Sequence, residues 1–210
     1  MATSVKTNIT EEKIIAWYMD SVLENGKVPE SVYKFCKANK IGEDTFYGFF
    51  GSFESIQQRI WHKFFDNTMA LLNKNKDYAT MSNEDKMLTF FFTFFENLTL
   101  NRSYVLFALK EHRNAFEGLA QLKGLRKSFK EFATELIHIR NEEKNLKILK
   151  YNEPLFSEGN WLQFLFLLKF WMEDSSPGFE KTDIAIEKSV TTIFQIFENT
   201  PLEKIIDFGK

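Results

Sequence analysis

Cysteine, proline and glycine are all scarce in this chain. Cys36 stands alone among 210 residues, so no internal disulfide can form and the fold must rest on packing. Four Pro and nine Gly leave long stretches without a breaker, which argues against a protein of short strands and tight turns. Period-two alternation is nowhere sustained, whereas apolar residues recur at three- and four-residue intervals along most of the length. Long apolar runs are lacking as well. The most hydrophobic one, Trp161 to Met172, has Gln163 and Lys169 inside it and is too short to span a bilayer. Met1 to Asn8 contains no apolar segment of the kind a secretory signal needs. Charge of one sign is not in excess: the formal net charge is −2, and mean hydropathy is −0.30. The expectation is an all-α, cytoplasmic protein with no disulfide and no membrane span.

What the chain has in abundance is phenylalanine, with 24 copies. Thr10, followed by Glu11 and Glu12, reads as the N-cap of a first helix that Asn25 and Gly26 end. Pro29 is expected at the first position of a second helix running to about Asn39. Ile41 and Gly42 form a turn, residues 43–49 a short third helix, and Ser52 caps a long fourth one. Ser82 opens a helix whose body, Met87 to Leu100, is apolar on nearly every side, as in a helix buried all round. Short helices at about 103–111 and 114–122 and a longer one at about 125–149 follow. Ser157 or Asn160 opens a strongly apolar helix, Thr182 caps the next, and a last short helix starts at Pro201.

Residues 29–50 have the length and turn of a helix-turn-helix, in which one helix crosses the DNA backbone and the next enters the major groove. Phe46 and Phe50 are expected to face inward, with Thr45 and Tyr47 outward, where hydroxyls bond phosphates. The bare pattern fits a generic three-helix corner equally well. Over residues 12–60 the chain resembles the tetracycline-repressor family. Ile14, Ile15 and Gly26 match its first helix, Phe35 and Cys36 stand for its Ile-Ala, and Ile41 stands for its Val. Thr45, Phe46, Tyr47 and Phe50 carry its Thr-Leu-Tyr-x-x-Phe signature, and Ser52 and Glu54 fit the Ser-Lys-Glu that follows. Four positions depart from the pattern: Lys40 replaces a Gly, Gly42 a Ser, Gly48 a bulky or basic residue, and Phe53 a Lys that in the family meets a phosphate.

The resemblance implies a helix-turn-helix head over residues 1–55 and a helical body over 56–210 that binds an effector and dimerises. It implies DNA contacts from Lys37, Lys40, Glu43, Asp44, Thr45, Tyr47 and Gly48. Residues 1–66 carry eight basic and nine acidic side chains, however, and a duplex-binding head ordinarily has a positive excess. A second reading therefore keeps the fold and assigns it to ligand binding or protein interaction, with DNA binding weakened or lost. Phe90, Phe91, Phe94, Trp161 and Phe164 are candidates for an apolar effector site, against the plainer reading of a packed core. Ile186, Val190, Ile193 and Phe197 form a helical stripe expected at a homodimer interface, beside the small residues Ala185, Ser189 and Thr192. No catalytic constellation, cofactor motif or metal site emerges. Glu135 and His138 have the Glu-x-x-His spacing of a di-iron ligand pair, but the second pair that such a site needs is missing.

Overall fold

In the computed structural model, residues 9–110, 115–143 and 153–199 are described. They form an all-α fold with ten α-helices and no strand among them. The short helix expected from Pro201 lies outside the described residues. The chain divides into two compact units, Met1–His62 with Asn101–Gly124 and Lys63–Leu100 with Leu125–Lys210.

The first unit begins with α1 (Glu11–Asn25), α2 (Val32–Asn39) and α3 (Glu43–Phe49). Thr10 caps α1 by accepting from the Lys13 N–H at 3.3 Å, and Gly26 ends it at φ 64°. The second helix starts later than Pro29 suggested. Ser31 is its cap, accepting from the Lys34 N–H at 3.2 Å, because a hydroxyl acceptor satisfies a terminal N–H that Pro29 cannot. Lys40 closes α2 in the left-handed region (φ 57°), and the Ile41 N–H reaches the Cys36 carbonyl at 3.1 Å. This position favours Gly, which accounts for the glycine that the resemblance places there. Next, α4 (Phe53–Lys74) starts from Ser52, whose Oγ accepts from the Ser55 N–H (3.3 Å) while the Ser52 N–H donates to Ser55 Oγ (3.2 Å).

The first unit also takes in α6 (Arg102–Lys110) and α7 (Ala115–Ala120), and α1 packs on α6. Tyr18 and Tyr104 meet edge to face at 6.4 Å. Trp61 Nε1 donates to Gln121 Oε1 (2.7 Å), and Gln121 Nε2 donates to the Ala108 carbonyl (2.9 Å), so two buried polar side chains satisfy one another and a helix end.

The second unit holds α5 (Asn83–Leu100), α8 (Lys123–Glu143, from Leu125 on), α9 (Glu153–Glu173) and α10 (Glu180–Asn199), with α10 packed on both α5 and α9. Ser82 caps α5, accepting from the Asp85 N–H at 3.1 Å. The expected start of α9 at Ser157 or Asn160 is corrected to Glu153. Pro154 sits in the first turn, where its missing N–H removes no helical bond, so it does not end the segment. Thr182 does not cap α10 either; it is buried inside the helix. The turn between α9 and α10 is held by Asp174. The Ser176 N–H and hydroxyl donate to its Oδ1 (2.8 and 2.7 Å), and the Thr182 N–H and hydroxyl donate to its Oδ2 (2.9 and 2.7 Å). Gly178 and Phe179 both adopt positive φ in that turn, and the Phe179 ring rests 6.3 Å from Trp171.

Burial pushes the Asp174 carboxyl up, but the four donors outweigh it and hold the group below the ordinary carboxylate range. A lowered folded-state pKa means that this stabilisation is complete above about pH 4 and is lost as pH falls through the folded value. Asp174→Ala is therefore expected to destabilise the protein by about 2 kcal/mol near neutral pH. Thermal unfolding at pH 7 and pH 3 checks this, with the gap to wild type narrowing at the lower pH.

Candidate nucleic-acid interface

The orientation of α3 follows from its apolar residues. Phe46 is fully buried, with its ring 5.9 Å from Phe35, 5.7 Å from Phe53 and 6.3 Å from Phe50. With Phe46 inward, helical geometry sends Glu43, Asp44, Tyr47 and Gly48 outward, all exposed, and leaves Thr45 half-buried. Tyr47 is 54% exposed, and its ring meets the edge of Phe46 at 5.4 Å. The chosen faces of Phe46, Phe50 and Tyr47 are thus as expected. Gly42 starts the helix without a side-chain cap. A Cβ there would lie 2.0 Å from Asp44 Oδ1, so the Ser of the family pattern requires this carboxylate to swing away.

The cations around α3 are few. Lys27 pairs with Glu30 at 3.2 Å, and Lys34 pairs with the other oxygen of the same carboxylate. These lysines hold the Glu30 carboxyl below its usual range, Lys34 most strongly. Lys37 lies 6.0 Å from the Tyr33 ring centroid, still exposed. Lys40 is exposed at the turn. Arg59 donates to Glu11 at 2.9 Å. The exposed side chains of α2, the turn and α3 thus include Tyr33, Lys37, Lys40, Glu43, Asp44, Tyr47 and Phe49. An open groove of about 280 Å^3 on this unit runs beside α2 and includes Val28, Pro29 and Phe35. Cys36 is buried under α2, and burial, followed by the charges of Glu43 and Asp44, pushes its thiol up. A raised thiol is an unreactive one.

Phe53 corrects the sequence reading. It does not stand at the surface in place of a phosphate-binding Lys. It is 9% exposed, stacked on Tyr18 at 5.6 Å and edge-on to Phe35 at 5.6 Å. It therefore joins α1, α2, α3 and α4 at one point. The signal was present in the spacing of Phe53, Ile56 and Ile60, a continuous buried stripe of α4.

The five aromatic residues considered for an effector site do come together. The Phe90 and Phe94 rings stack at 5.6 Å, Phe94 meets Phe164 at 5.4 Å, Phe164 stacks on Trp161 at 5.0 Å, and Phe90 meets Phe91 at 5.8 Å. All five are buried, and Phe129 touches Phe90, Phe91, Trp161 and Phe164. They border one another. The dimer stripe divides differently. Ile186 and Val190 have no exposed surface within the single chain, because α10 turns them toward its own neighbours. Ile193 and Phe197 are half-buried, with Phe197 edge-on to Phe156 at 5.0 Å. Exposed apolar residues on the same two helices are instead Leu162 (65%), Phe166 (55%), Ile184 (49%) and Ile196 (47%). His138 Nδ1 lies 2.9 Å from Glu153 Oε1. Among the described residues no group of three or more His, Cys, Asp or Glu is placed to hold a metal, and no helix is long and apolar enough to cross a membrane.

Residues 86–210 match the family model of the tetracyclin repressor-like C-terminal domain, which is more than half of the chain. The chain belongs to the tetracycline-repressor family. Comparison with curated proteins and with solved structures finds no match. The matched segment runs from within α5 through α10, and so includes both the ring cluster and the exposed apolar residues of α9 and α10. The head lies outside it, and its assignment rests on the signature residues and on the buried face they share.

The burial of Phe53 generates a prediction opposite to the one its sequence position invites. Phe53→Lys should destabilise the head by about 3 kcal/mol, the scale for losing a buried ring and burying a charge. Phe53→Leu should have a smaller effect. Chemical denaturation with circular dichroism measures both.

Proposed function

We propose that the protein is a cytoplasmic transcriptional regulator that binds operator DNA as a homodimer and answers to an apolar small molecule. The observation that carries the reading is the fixed presentation of α3. Phe46 and Phe50 are locked inward, so Tyr47 and Gly48 face outward with Thr45 half-buried, and Lys37 and Lys40 are exposed on the preceding helix and turn. A short exposed helix after a tight turn is the form that enters the major groove, and the hydroxyls and lysines supply phosphate contacts. Because Glu30 engages Lys27 and Lys34, each head offers Lys37 and Lys40 as its main cations. Two heads then make about four charged phosphate contacts, and log affinity should fall with log salt at a slope of about −4. Titration of a labelled duplex from the upstream region of the protein's own gene, at several salt concentrations, measures this slope. Tyr47→Phe should weaken binding about fivefold, the worth of one hydrogen bond, with the helical signal unchanged. Lys37→Ala should flatten the slope by about one unit per head.

The second reading, a ligand-binding or protein-interaction module, has its own support. Glu43 and Asp44 are exposed in the first turn of α3, where their charge suits the helix dipole but repels phosphate. Absence of duplex binding at low salt would decide in its favour.

The dimer in this proposal uses exposed apolar residues of α9 and α10 in place of Ile186 and Val190. Leu162 and Phe166 are four residues apart on one face, and Phe166 lies 6.2 Å from the Phe170 ring. Leu162→Glu with Phe166→Glu should convert a dimer to a monomer at micromolar concentration in sedimentation, with the fold intact. A wild-type monomer under the same conditions would end the dimer reading. For the effector, the mutual contact of the rings means that a ligand enters by separating them, as at a site where Phe94 and Phe164 change rotamer.

A further inference from the structure

Two buried carbonyl oxygens on α9 receive no donor from any described residue. Asn160 has no exposed surface. Its Nδ2 donates to the Phe156 carbonyl at 2.8 Å, which fixes the orientation of the amide and leaves Oδ1 as an acceptor without a donor. Gln163, one turn further on and 6% exposed, donates from Nε2 to Ser189 Oγ at 2.9 Å. The Ser189 hydroxyl gives its proton to the Ile186 carbonyl at 3.2 Å, so Gln163 Oε1 is likewise without a donor. Leaving such groups unmatched in a core is unfavourable, and buried polar atoms are ordinarily paired.

Their place in the core is specific. Asn160 follows Phe156 by four residues and precedes Phe164 by four, which puts the three in one row of the helix. Phe156 packs with Phe194 at 5.6 Å, and Phe164 packs with Phe94 and Trp161. The row is apolar on both sides of Asn160. One acceptor set into an aromatic row, with a second three residues along the same helix, suits a molecule that is mostly apolar and carries a donor at one end. A carboxylate or phosphate brings only acceptors and would face like charge densities with them.

We propose that Asn160 and Gln163 form the polar end of the effector site, and that the effector is a ring-bearing apolar molecule with an O–H or N–H donor. This rests on the effector reading given above. The test uses the full chain and two probes of similar shape, 2-naphthol and 2-methoxynaphthalene, which differ in the hydroxyl proton. Tryptophan fluorescence and thermal shift read their binding. The naphthol is expected to bind about tenfold more tightly, as one buried hydrogen bond allows, and Asn160→Leu should abolish most of that preference while leaving the methoxy probe within about twofold. Gln163→Met, close to the native shape, provides the second variant should Asn160→Leu fail to fold by circular dichroism. Equal wild-type affinity for the two probes overturns the donor assignment and leaves the apolar effector reading standing. A preference that survives both substitutions also overturns it. Binding of neither probe overturns this inference together with the effector reading.

Discussion

Phe46 is enclosed by Phe35, Phe50 and Phe53, and its position decides which side chains of α3 meet solvent. A seven-residue helix has almost no stability of its own in water. Its register against the rest of the head comes from this one ring contact group, to which Tyr18 adds the first helix through Phe53. Edge-to-face and offset geometry among these rings gives direction as well as burial, so a rotation of α3 that moves Tyr47 also has to break ring contacts. The outward presentation of Tyr47 and Gly48 is a consequence of what is packed behind them.

Charge then sets how that surface behaves. A single carboxylate, Glu30, occupies two of the head's lysines, while Glu43 and Asp44 add negative charge where α3 begins. Exposed ion pairs of this sort contribute little to stability. Their effect is on the field around the head, where Glu30 offsets the charge of Lys27 and Lys34. Lys37 and Lys40 are exposed, as are the rings of Tyr33, Tyr47 and Phe49.

The body follows a different economy of space. Rings from α5, α8 and α9 touch in a continuous group, from Phe90 through Phe129 to Phe164 and Trp161. Dense packing of this kind is sensitive to single substitutions, yet it also holds Asn160 and Gln163, whose carbonyl oxygens receive no donor from any described residue. Asp174, with four donors, shows the contrasting case of a buried polar group fully satisfied for a structural task. Membership of the tetracycline-repressor family places these helices in the matched C-terminal domain.

Local chemistry along the chain was enough for the helical class, for the caps at Thr10, Ser52 and Ser82, for the turn at Gly26 and for the inward faces of Phe46 and Phe50, because each depends on residues within about one turn of helix. The same local signals misplaced the starts of α2 and α9, where proline is compatible with more than one position near a helix start. Periodicity identified Ile186 and Val190 as one face but could not say whether that face meets its own chain or another copy. Only the tertiary structure decided that they are core, that Phe53 is a joint among four helices, that Gln121 pairs with Trp61 across 60 residues of sequence, and that two carbonyl oxygens in α9 receive no donor from any described residue. A helical stripe records that a face is buried. Which partner buries it, and whether every polar atom there is matched, depends on contacts between distant residues that a one-dimensional period does not carry.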